Sequence, residues 1–407
     1  MRRFRTAAIA TATIASAALV PLVTTTAAEA NSAHHTPYVA GVSHHTKRVC
    51  AHTHAGAGAC DATVWTDAAG TPVANATPAG YGPADLQSAY KLSSLAASNG
   101  AGRTVAIVDA YDDPTAAQDL ATYRSTYGLP TVPSFRKVSQ TGSTTALPAV
   151  DGGWAQEISL DLDMVSAACP NCSILLVEGN SASFADLSTA VRYAKAQPGV
   201  VAVSNSYGGG ESPGETSYAA SYKPAVSGQW ITASSGDSGY GAQSPAVFNT
   251  VVAVGGTSLS RASSTARGWS ESAWSGAGSG CSAYIAATFN TSSPCGSKRA
   301  ESDVSAVADP NTGVAVYDST AYQGSAGWLV FGGTSASAPF IGGVHALAGS
   351  ASSSAASLYS GASVFDVRSG SNGRCRKTIA AVCTAGTGWD GPTGVGTPNG
   401  GGGLTGF

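Results

Sequence analysis

The stretch Gly-Gly-Thr-Ser-Ala-Ser-Ala-Pro, at residues 332–339, decides the fold of this 407-residue chain. Its glycines and threonine predict a turn, and the small residues after them predict the start of a helix. Ser335 would then lie where unpaired backbone N–H groups carry partial positive charge and can stabilise the oxyanion of an acyl-transfer intermediate. Pro339 fits because we expect it in the first turn, where proline is tolerated. The stretch therefore indicates a nucleophilic serine, although a Ser/Ala-rich helix start is the alternative.

A serine nucleophile normally needs a histidine base, and no histidine here suits that role. Six of the seven histidines lie within the first 54 residues, ahead of the predicted core. The seventh, His345, follows Ser335 by ten residues on the same predicted helix, so we expect it to point away from the serine. If Ser335 is a nucleophile, a carboxylate must therefore activate it.

Glu157 and Asp161 are the candidates for this carboxylate. They stand four residues apart in a helix predicted over 154–168, so they share one face. Apolar neighbours predict partial burial, and two close carboxylates there tend to share a proton, which raises one pKa. The alternative for such a pair is a solvated acidic face. Asp163 falls on the opposite face of the helix.

A further acidic residue, Asp237, lies in Ser-Ser-Gly-Asp-Ser-Gly, directly after a strand predicted over 230–234. An aspartate can donate a hydrogen bond to an oxyanion only when it is protonated, which a raised pKa or an acidic solution would ensure. The alternative is a turn-forming aspartate beside glycines.

Apolar strands alternate with helices along the chain. The strands are predicted over 104–109, 173–177, 200–204, 230–234 and 251–254, and the helices over 84–97, 114–127, 154–168, 183–196 and 217–226. This order predicts an α/β fold with a mostly parallel central sheet and helices on both faces. The active site is expected at the carboxyl ends of the strands, where Asp109, Asp237 and residues 204–208 fall.

The first 80 residues differ from the rest in composition and in hydrophobic pattern. A basic start, an apolar stretch and Ala-Glu-Ala at 28–30 predict a secretory signal peptide over residues 1–30, and hence a secreted, extracellular protein. Residues 31–80 show no convincing helix or strand period and predict a short pro-segment or N-terminal arm, ahead of a main domain over 81–407. With 11% charged residues, a net charge of −3 and no basic cluster, we expect no nucleic-acid partner. No later segment is long and apolar enough to cross a bilayer, so we expect no membrane partner. We also expect a monomer.

The eight cysteines of an exported chain are expected to form disulfides. They fall in neighbouring couples, and local pairing is the simplest of 105 possible connectivities. The couples are Cys50/Cys60, Cys169/Cys172, Cys281/Cys295 and Cys375/Cys383.

Taken together, the motifs resemble those of the sedolisins, the serine-carboxyl peptidases, which are acid-active and have a subtilisin-like fold. The matching segments are Glu157-x-x-x-Asp161, Ser235-Gly-Asp237-Ser-Gly239 and Gly333-Thr-Ser335-x-x-x-Pro339. The similarity runs from about residue 80 to the C-terminus and implies a three-layer subtilisin-like fold. It also implies a peptidase that hydrolyses peptide bonds through an acyl-enzyme and whose partner is a protein or peptide substrate; a catalytically degenerate binding protein on the same scaffold is the alternative.

The resemblance assigns a role to each catalytic candidate. Ser335 is the nucleophile, Glu157 its base, Asp161 the residue that orients the base, and Asp237 the oxyanion donor. Asp109 receives a structural or cleft role, because without a histidine it has nothing to orient. Sedolisins carry a long pro-domain, whereas the arm here is short, so we expect it either to be trimmed or to stay attached through the Cys50–Cys60 loop.

The segment Ser206, Tyr207 and Gly208 resembles the edge strand on which such peptidases lay the substrate backbone, a form of β-augmentation. The alternative is an ordinary strand end.

Near the C-terminus, two carboxylates and a glycine-rich loop suit calcium, which takes six to eight oxygen ligands. The resemblance implies one calcium ion, held by the side chains of Asp366 and Asp390 and the carbonyl groups of Val367, Gly386 and Gly388. A glycine-rich turn with unrelated aspartates is the alternative.

Overall fold

The computed structural model describes residues 44–51 and 56–407, besides Met1, so the predicted signal peptide lies outside the described residues. The strands are β1 (His45–Arg48), β2 (Ala59–Cys60), β3 (Thr63–Thr66), β4 (Thr104–Ala110), β5 (Phe135–Ser139), β6 (Ser173–Gly179), β7 (Val200–Asn205), β8 (Tyr207–Gly210), β9 (Trp230–Ser234), β10 (Gln243–Ser244), β11 (Val252–Ala262), β12 (Gly268–Ala273), β13 (Gly280–Ala286), β14 (Lys298–Glu301), β15 (Val304–Val307), β16 (Val314–Tyr322), β17 (Ser325–Gly332), β18 (Val364–Phe365) and β19 (Thr397–Pro398). The helices are α1 (Pro83–Ala89), α2 (Ser93–Ser98), α3 (Ala116–Thr126), α4 (Gly152–Ala168), α5 (Phe184–Lys195), α6 (Thr216–Ala219) and α7 (Thr334–Ala348).

An eight-stranded sheet forms the centre of the domain. Its order is β12-β11-β9-β7-β4-β6-β5, and β15 also pairs with β11. All of these pairs are parallel except that of β11 with β12. The predicted α/β class with a mostly parallel sheet is therefore confirmed.

Helices α4 and α7 bring the catalytic candidates together. They pack against each other and against the sheet, while α5 packs on β4, β6 and β7. Glycine permits the close approach, because a Cβ built on Gly343 would lie 2.6 Å from the Cβ of Ala168. The side chain of Asp151 caps α4 by accepting a hydrogen bond from the Trp154 N–H group at 3.0 Å. The contact of α4 with α7 sets the carboxylates of one helix beside the serine of the other.

The expectation that residues 31–80 lack strands is wrong for the part that the structure describes. Strand β3 lies between β1 and β17 in an antiparallel sheet of order β1-β3-β17-β16, and β2 pairs with β8. These strands are two to four residues long and are completed by partners far along the chain, so no local period marks them.

Two helix predictions need correction. The segment predicted as one helix over 84–97 forms α1 and α2, separated near Lys91, whose φ of 53° is left-handed. The helix predicted over 217–226 is reduced to the four residues of α6. Pro224 prevents a regular helix from continuing to residue 226, because proline cannot donate the backbone hydrogen bond that the helix needs there.

All four disulfides join the neighbouring cysteine couples, as local pairing predicts. Within residues 44–51 and 56–407, no helix has both the length and the apolar character required to span a membrane.

Candidate active site

Ser335 is the second residue of α7, directly after the turn that the sequence predicts. Its side chain is fully buried, and its Oγ donates to the carbonyl oxygen of Ser206 at 3.2 Å. The backbone N–H of Ser335 donates to the carbonyl oxygen of Asp61 at 3.0 Å. The N–H group at the helix start therefore already holds a peptide carbonyl oxygen.

Pro339 lies in the second turn of α7, not in the first as the sequence suggested. It has no N–H group to offer to the carbonyl oxygen of Ser335, four residues earlier. The Ser206 hydroxyl lies 3.5 Å from this carbonyl oxygen and donates to Asp161 Oδ2 at 2.8 Å. Because the proline donates no hydrogen bond to it, the carbonyl oxygen of Ser335 is left facing the Ser206 hydroxyl, which also contacts Asp161.

Glu157 and Asp161 lie on the face of α4 that meets α7, and both are fully buried. Burial raises the pKa of Glu157 well above its ordinary value, the charges of Asp161 and Asp109 raise it further, and the Ser335 hydroxyl lowers it. Burial likewise raises the pKa of Asp161, with Asp109 adding to the effect. Asp163 points away and accepts a hydrogen bond from the Tyr317 N–H group at 3.0 Å, as its position on the opposite face predicts.

Asp109 is a member of this buried acidic group. It lies near the carboxyl end of β4, and neither of its carboxylate oxygens has a hydrogen-bond partner among the described residues. Burial raises its pKa to about 8. Because its charge raises the pKa values of Glu157 and Asp161, the three carboxyl groups titrate as one set.

Asp237 lies on the other side of the serine turn. Its Oδ1 accepts hydrogen bonds from the N–H group of Thr334 at 2.7 Å and from its hydroxyl at 3.0 Å. The residue keeps some solvent contact, yet burial of its carboxyl group, followed by the charge of Asp61, raises its pKa to about 7. A Cβ built on Gly333 (φ +101°) would lie 2.1 Å from the Asp61 carbonyl oxygen and 2.6 Å from Asp237 Oδ2. Only glycine leaves this space open.

His345 takes no part in the site, as the sequence predicts. Its Nε2 lies 2.9 Å from the carbonyl oxygen of Gly228, and its ring stacks on Trp230 with centroids 4.2 Å apart. Burial lowers its pKa to about 4.

The predicted substrate edge is paired with the chain's own N-terminal arm. In the antiparallel register of β2 and β8, Ala59 faces Gly208 and Cys60 faces Tyr207. Beyond β2, the N–H group of Asp61 donates to the carbonyl oxygen of Ser206 at 3.2 Å. The backbone of residues 206–208 is therefore available for pairing with an extended strand, here the arm.

The side chain of Asp61 fills a polar site that the sequence did not reveal. Its Oδ2 accepts from Ser234 Oγ at 2.7 Å and from Gln243 Nε2 at 2.6 Å, and its Oδ1 pairs with Arg48 at 3.1 Å. The adjoining pocket of about 260 Å³ is lined by Arg48, Gln243 and a run of glycines. Its walls come from segments far apart in the chain, so no sequence motif marks it.

The residues predicted to hold calcium lie close together. Asp366 accepts from the Gly388 N–H group at 3.2 Å, and Asp390 from the Gly386 N–H group at 3.0 Å. Burial raises the pKa of Asp390 to about 7, and the nearby charge of Asp366 adds to this shift. Among the described residues, the carbonyl oxygens of Val367, Gly386 and Gly388 accept no hydrogen bond. Two carboxylates and three free carbonyl groups fit the oxygen preference of calcium, although Arg368 also pairs with Asp366 at 2.6 Å.

A second acidic group, formed by Asp113, Asp119 and Asp318, was not predicted. One oxygen of each lies within 4.8 Å of the others, and all three residues are buried. Their oxygens accept from neighbouring hydroxyl and N–H groups, among them those of Thr115 and Thr320.

The chain has clear relatives among known proteins. The sequence profile of the Subtilase family matches residues 144–369. Kumamolisin from Bacillus sp. (strain MN-32) is 30% identical over 370 residues, covering 80% of this chain and 63% of the relative. Sedolisin from Pseudomonas sp. (strain 101) is 28% identical over 371 residues, with 80% and 61% covered. Pseudomonas sedolisin, a serine-carboxyl proteinase solved with two molecules of pseudo-iodotyrostatin, matches with a TM-score of 0.64 and 26% identity, covering 78% of this chain and 95% of that one.

The parallel sheet, the serine at the start of α7 and the carboxylates facing it define a scaffold of the subtilisin-like class. The chain belongs to the subtilase family, and the resemblance to sedolisins that its motifs indicate is confirmed by similarity in both sequence and fold. It spans about three-fifths of the length of the two curated relatives, 63% and 61%.

Proposed function

We propose that this protein is a secreted serine-carboxyl peptidase that hydrolyses peptide bonds in acid through a Ser335 acyl-enzyme. One observation carries the proposal: the Ser335 N–H group holds a peptide carbonyl oxygen at 3.0 Å while Glu157 and Asp161 face the serine from α4. A nucleophile, a buried carboxylate base and an oxyanion donor are the groups that acyl transfer needs.

In the proposed reaction, Glu157 takes the proton of the Ser335 hydroxyl as the oxygen attacks the substrate carbonyl carbon. Before this transfer, the hydroxyl must turn from the Ser206 carbonyl oxygen, to which it donates in the structure, toward the carboxylate. Asp161, held by Ser206, keeps Glu157 oriented and carries the proton that the pair shares, which leaves Glu157 free to accept the proton of Ser335. Glu157 next protonates the leaving amine, and a water molecule hydrolyses the acyl-enzyme by the same steps in reverse.

Asp237 is the second oxyanion donor in this proposal. Its Oδ1 accepts from Thr334, and its Oδ2, which accepts from the Thr63 hydroxyl at 3.2 Å, can also carry a proton and donate it to the oxyanion beside Gly333. Because its pKa is about 7, this proton is present in acid and lost in alkali. The activity is therefore expected to fall as the pH rises through neutrality.

One calcium ion would stabilise the C-terminal loop. We propose that Asp366 and Asp390 supply side-chain ligands and that Val367, Gly386 and Gly388 supply their carbonyl oxygens. The three free carbonyl groups support this assignment. When bound, the ion would neutralise the repulsion between the two carboxylates.

The test compares hydrolysis of a denatured protein by the wild type with that by Glu157→Gln and Ser335→Ala, from about pH 3 to about pH 9. We expect Glu157→Gln to lose on the order of 10²–10⁴-fold in kcat and Ser335→Ala on the order of 10⁶-fold. Asp163→Asn is the matched control, because it alters a buried carboxylate on the opposite face of α4. Full activity of Ser335→Ala would exclude the mechanism.

A further inference from the structure

Residues 59–64 cross the cleft as an extended chain in contact with both sides of the nucleophile. On one side, β2 pairs with β8 through Ala59 and Cys60. On the other, β3 pairs with β17, so that Thr63 faces Gly332, two residues before the helix that carries Ser335. Between these pairings lies the peptide bond joining Asp61 to Ala62. The arm therefore lies across the site in the way that an extended substrate would.

The backbone of Asp61 is held by the groups that would hold a bond about to be cleaved. Its carbonyl oxygen receives the Ser335 N–H group at 3.0 Å, and its own N–H group donates to Ser206 at 3.2 Å. The same carbonyl oxygen lies against Gly333, beside Asp237. These contacts fix the carbonyl carbon of Asp61 next to the serine and polarise it toward attack.

Three hydrogen-bond donors bind the carboxylate of the Asp61 side chain. It is 1% exposed and contacts Ser234 and Gln243 of the domain through one oxygen, and Arg48 of the arm through the other. A buried carboxyl group is stable only when such donors satisfy it, and an apolar or cationic side chain would leave them unpaired or repelled. The site is therefore built for an acidic side chain.

We propose that Asp61–Ala62 is the first bond that Ser335 hydrolyses, in its own chain, and that the pocket holding Asp61 selects an acidic residue on the acyl side of the cleaved bond. This inference rests on the proposed function. Ser335 Oγ attacks the Asp61 carbonyl carbon and transfers its proton to Glu157, and the C–N bond to Ala62 breaks as Glu157 protonates the Ala62 nitrogen. Water then hydrolyses the ester, giving a carboxyl group on Asp61 and restoring Ser335.

The products would be a fragment ending at Asp61 and a domain beginning at Ala62. Both cysteines of the Cys50–Cys60 disulfide belong to the fragment, so this bridge does not join the two products. The fragment would then be retained by non-covalent contacts alone. These are the pairing of β1 with β3 and of β2 with β8, together with hydrogen bonds such as that of the Gly58 N–H group to the carbonyl oxygen of Ala182 at 2.8 Å and that of Lys47 Nζ to Gln323 Oε1 at 2.9 Å.

The experiment follows the full-length chain, purified near neutral pH and then shifted to acid, by mass spectrometry and N-terminal sequencing. Three variants are compared with the wild type: Ser335→Ala, Asp61→Lys and Asp61→Asn. The matched control is Asp67→Lys, which places the same charge on an exposed turn of the same arm. Hydrolysis of an unrelated denatured protein is measured in parallel.

We expect a new N-terminus at Ala62 in the wild type, at a rate independent of protein concentration, because the bond already lies in its own site. Ser335→Ala stays intact. Asp61→Lys loses at least about 100-fold in the rate of this cut, because a cation would face Arg48 in a buried site. Asp61→Asn, which keeps the size and an acceptor oxygen but loses the charge that pairs with Arg48, is cut more slowly than the wild type and faster than Asp61→Lys, and Asp67→Lys behaves as the wild type does.

The outcomes separate the two proposals. If the wild type digests the denatured protein but acquires no N-terminus at Ala62, or if Asp61→Lys is cut there as fast as the wild type, the inference is wrong while the proposed function stands. If neither the arm nor the denatured protein is cleaved by a folded protein in acid, the proposed function fails and the inference falls with it. Thermal melts of the variants establish that they are folded.

Discussion

Replacing Asp237 by asparagine tests the oxyanion donor directly. The carboxyl group accepts the Thr334 N–H group at 2.7 Å through Oδ1, and an asparagine can keep this bond with its own carbonyl oxygen. Its amide nitrogen would then occupy the place of Oδ2 and donate to the oxyanion at every pH. We therefore expect Asp237→Asn to remain active and to lose the alkaline limb of the pH profile.

The size of the effect follows from the pKa of Asp237, which burial and the charge of Asp61 raise to about 7. Above this value the protonated fraction falls about tenfold for each pH unit, so at about pH 9 it is about 1%. Because part of the shift comes from Asp61, the limb is expected below pH 7 once the arm has left. The wild type should then lose at least about 100-fold in kcat/KM between its plateau and about pH 9.

The assay measures kcat/KM on a peptide with an acidic residue on the acyl side, at constant ionic strength, for the wild type, Asp237→Asn and the control Asp163→Asn. The acid limb, which reports the base, should be the same in all three. The two enzymes with Asp237 should share an alkaline limb that Asp237→Asn lacks. An identical alkaline limb in Asp237→Asn, with the protein folded throughout, would show that another group titrates there and refute the assignment.

Three further changes have defined outcomes. Gly333→Ala would place a Cβ 2.1 Å from the Asp61 carbonyl oxygen, so we expect kcat to fall on the order of 10²–10³-fold, whereas Gly324→Ala, also at positive φ but in open space, should not affect it. Burial raises the Asp318 pKa to about 8, so the folded protein keeps this carboxyl group protonated while the unfolded chain ionises it above about pH 4, and stability is lost as the pH rises from about 4 to about 8. Asp318→Asn removes this cost, so in denaturant titrations it should raise the free energy of unfolding by a few kcal/mol near pH 7 and little near pH 4. An effect that does not depend on pH would contradict this. Calcium should raise the melting temperature of the wild type but not of Asp390→Asn, and equal responses would disprove the ligand assignment.

The sequence predicted the central fold because its signals are local. Runs such as Thr104–Ala110 are continuous apolar strands, and the intervening helices force a parallel sheet. Four-residue spacing on a helix fixes Glu157 and Asp161 on one face, and the carboxyl ends of parallel strands meet at one edge. These rules, with the motif around Ser335, were enough to nominate residues that the fold brings together.

The arm and its pocket could not be predicted in this way. Strands β1–β3 are short, and they form only because distant edges offer hydrogen bonds. The donors to Asp61 from the domain, Ser234 and Gln243, lie 173 and 182 residues along the chain. Only the three-dimensional fold brings them together, so no periodicity or spacing within the arm carries this information.

The pairing of β3 with β17 has a consequence for what a single cut would achieve. Thr63 and Val64 lie on the side of Ser335 that would receive the leaving half of a substrate. They pair with β17, the strand that directly precedes the turn carrying Ser335. Hydrolysis at Asp61–Ala62 would break the covalent link across the site but leave β2 paired with β8 on the acyl side and β3 paired with β17 on the other, with a new ammonium group beside the buried carboxylates. Opening the proposed active site to outside substrates would thus take two different events: a bond must be cut, and then the paired strands of the arm must dissociate.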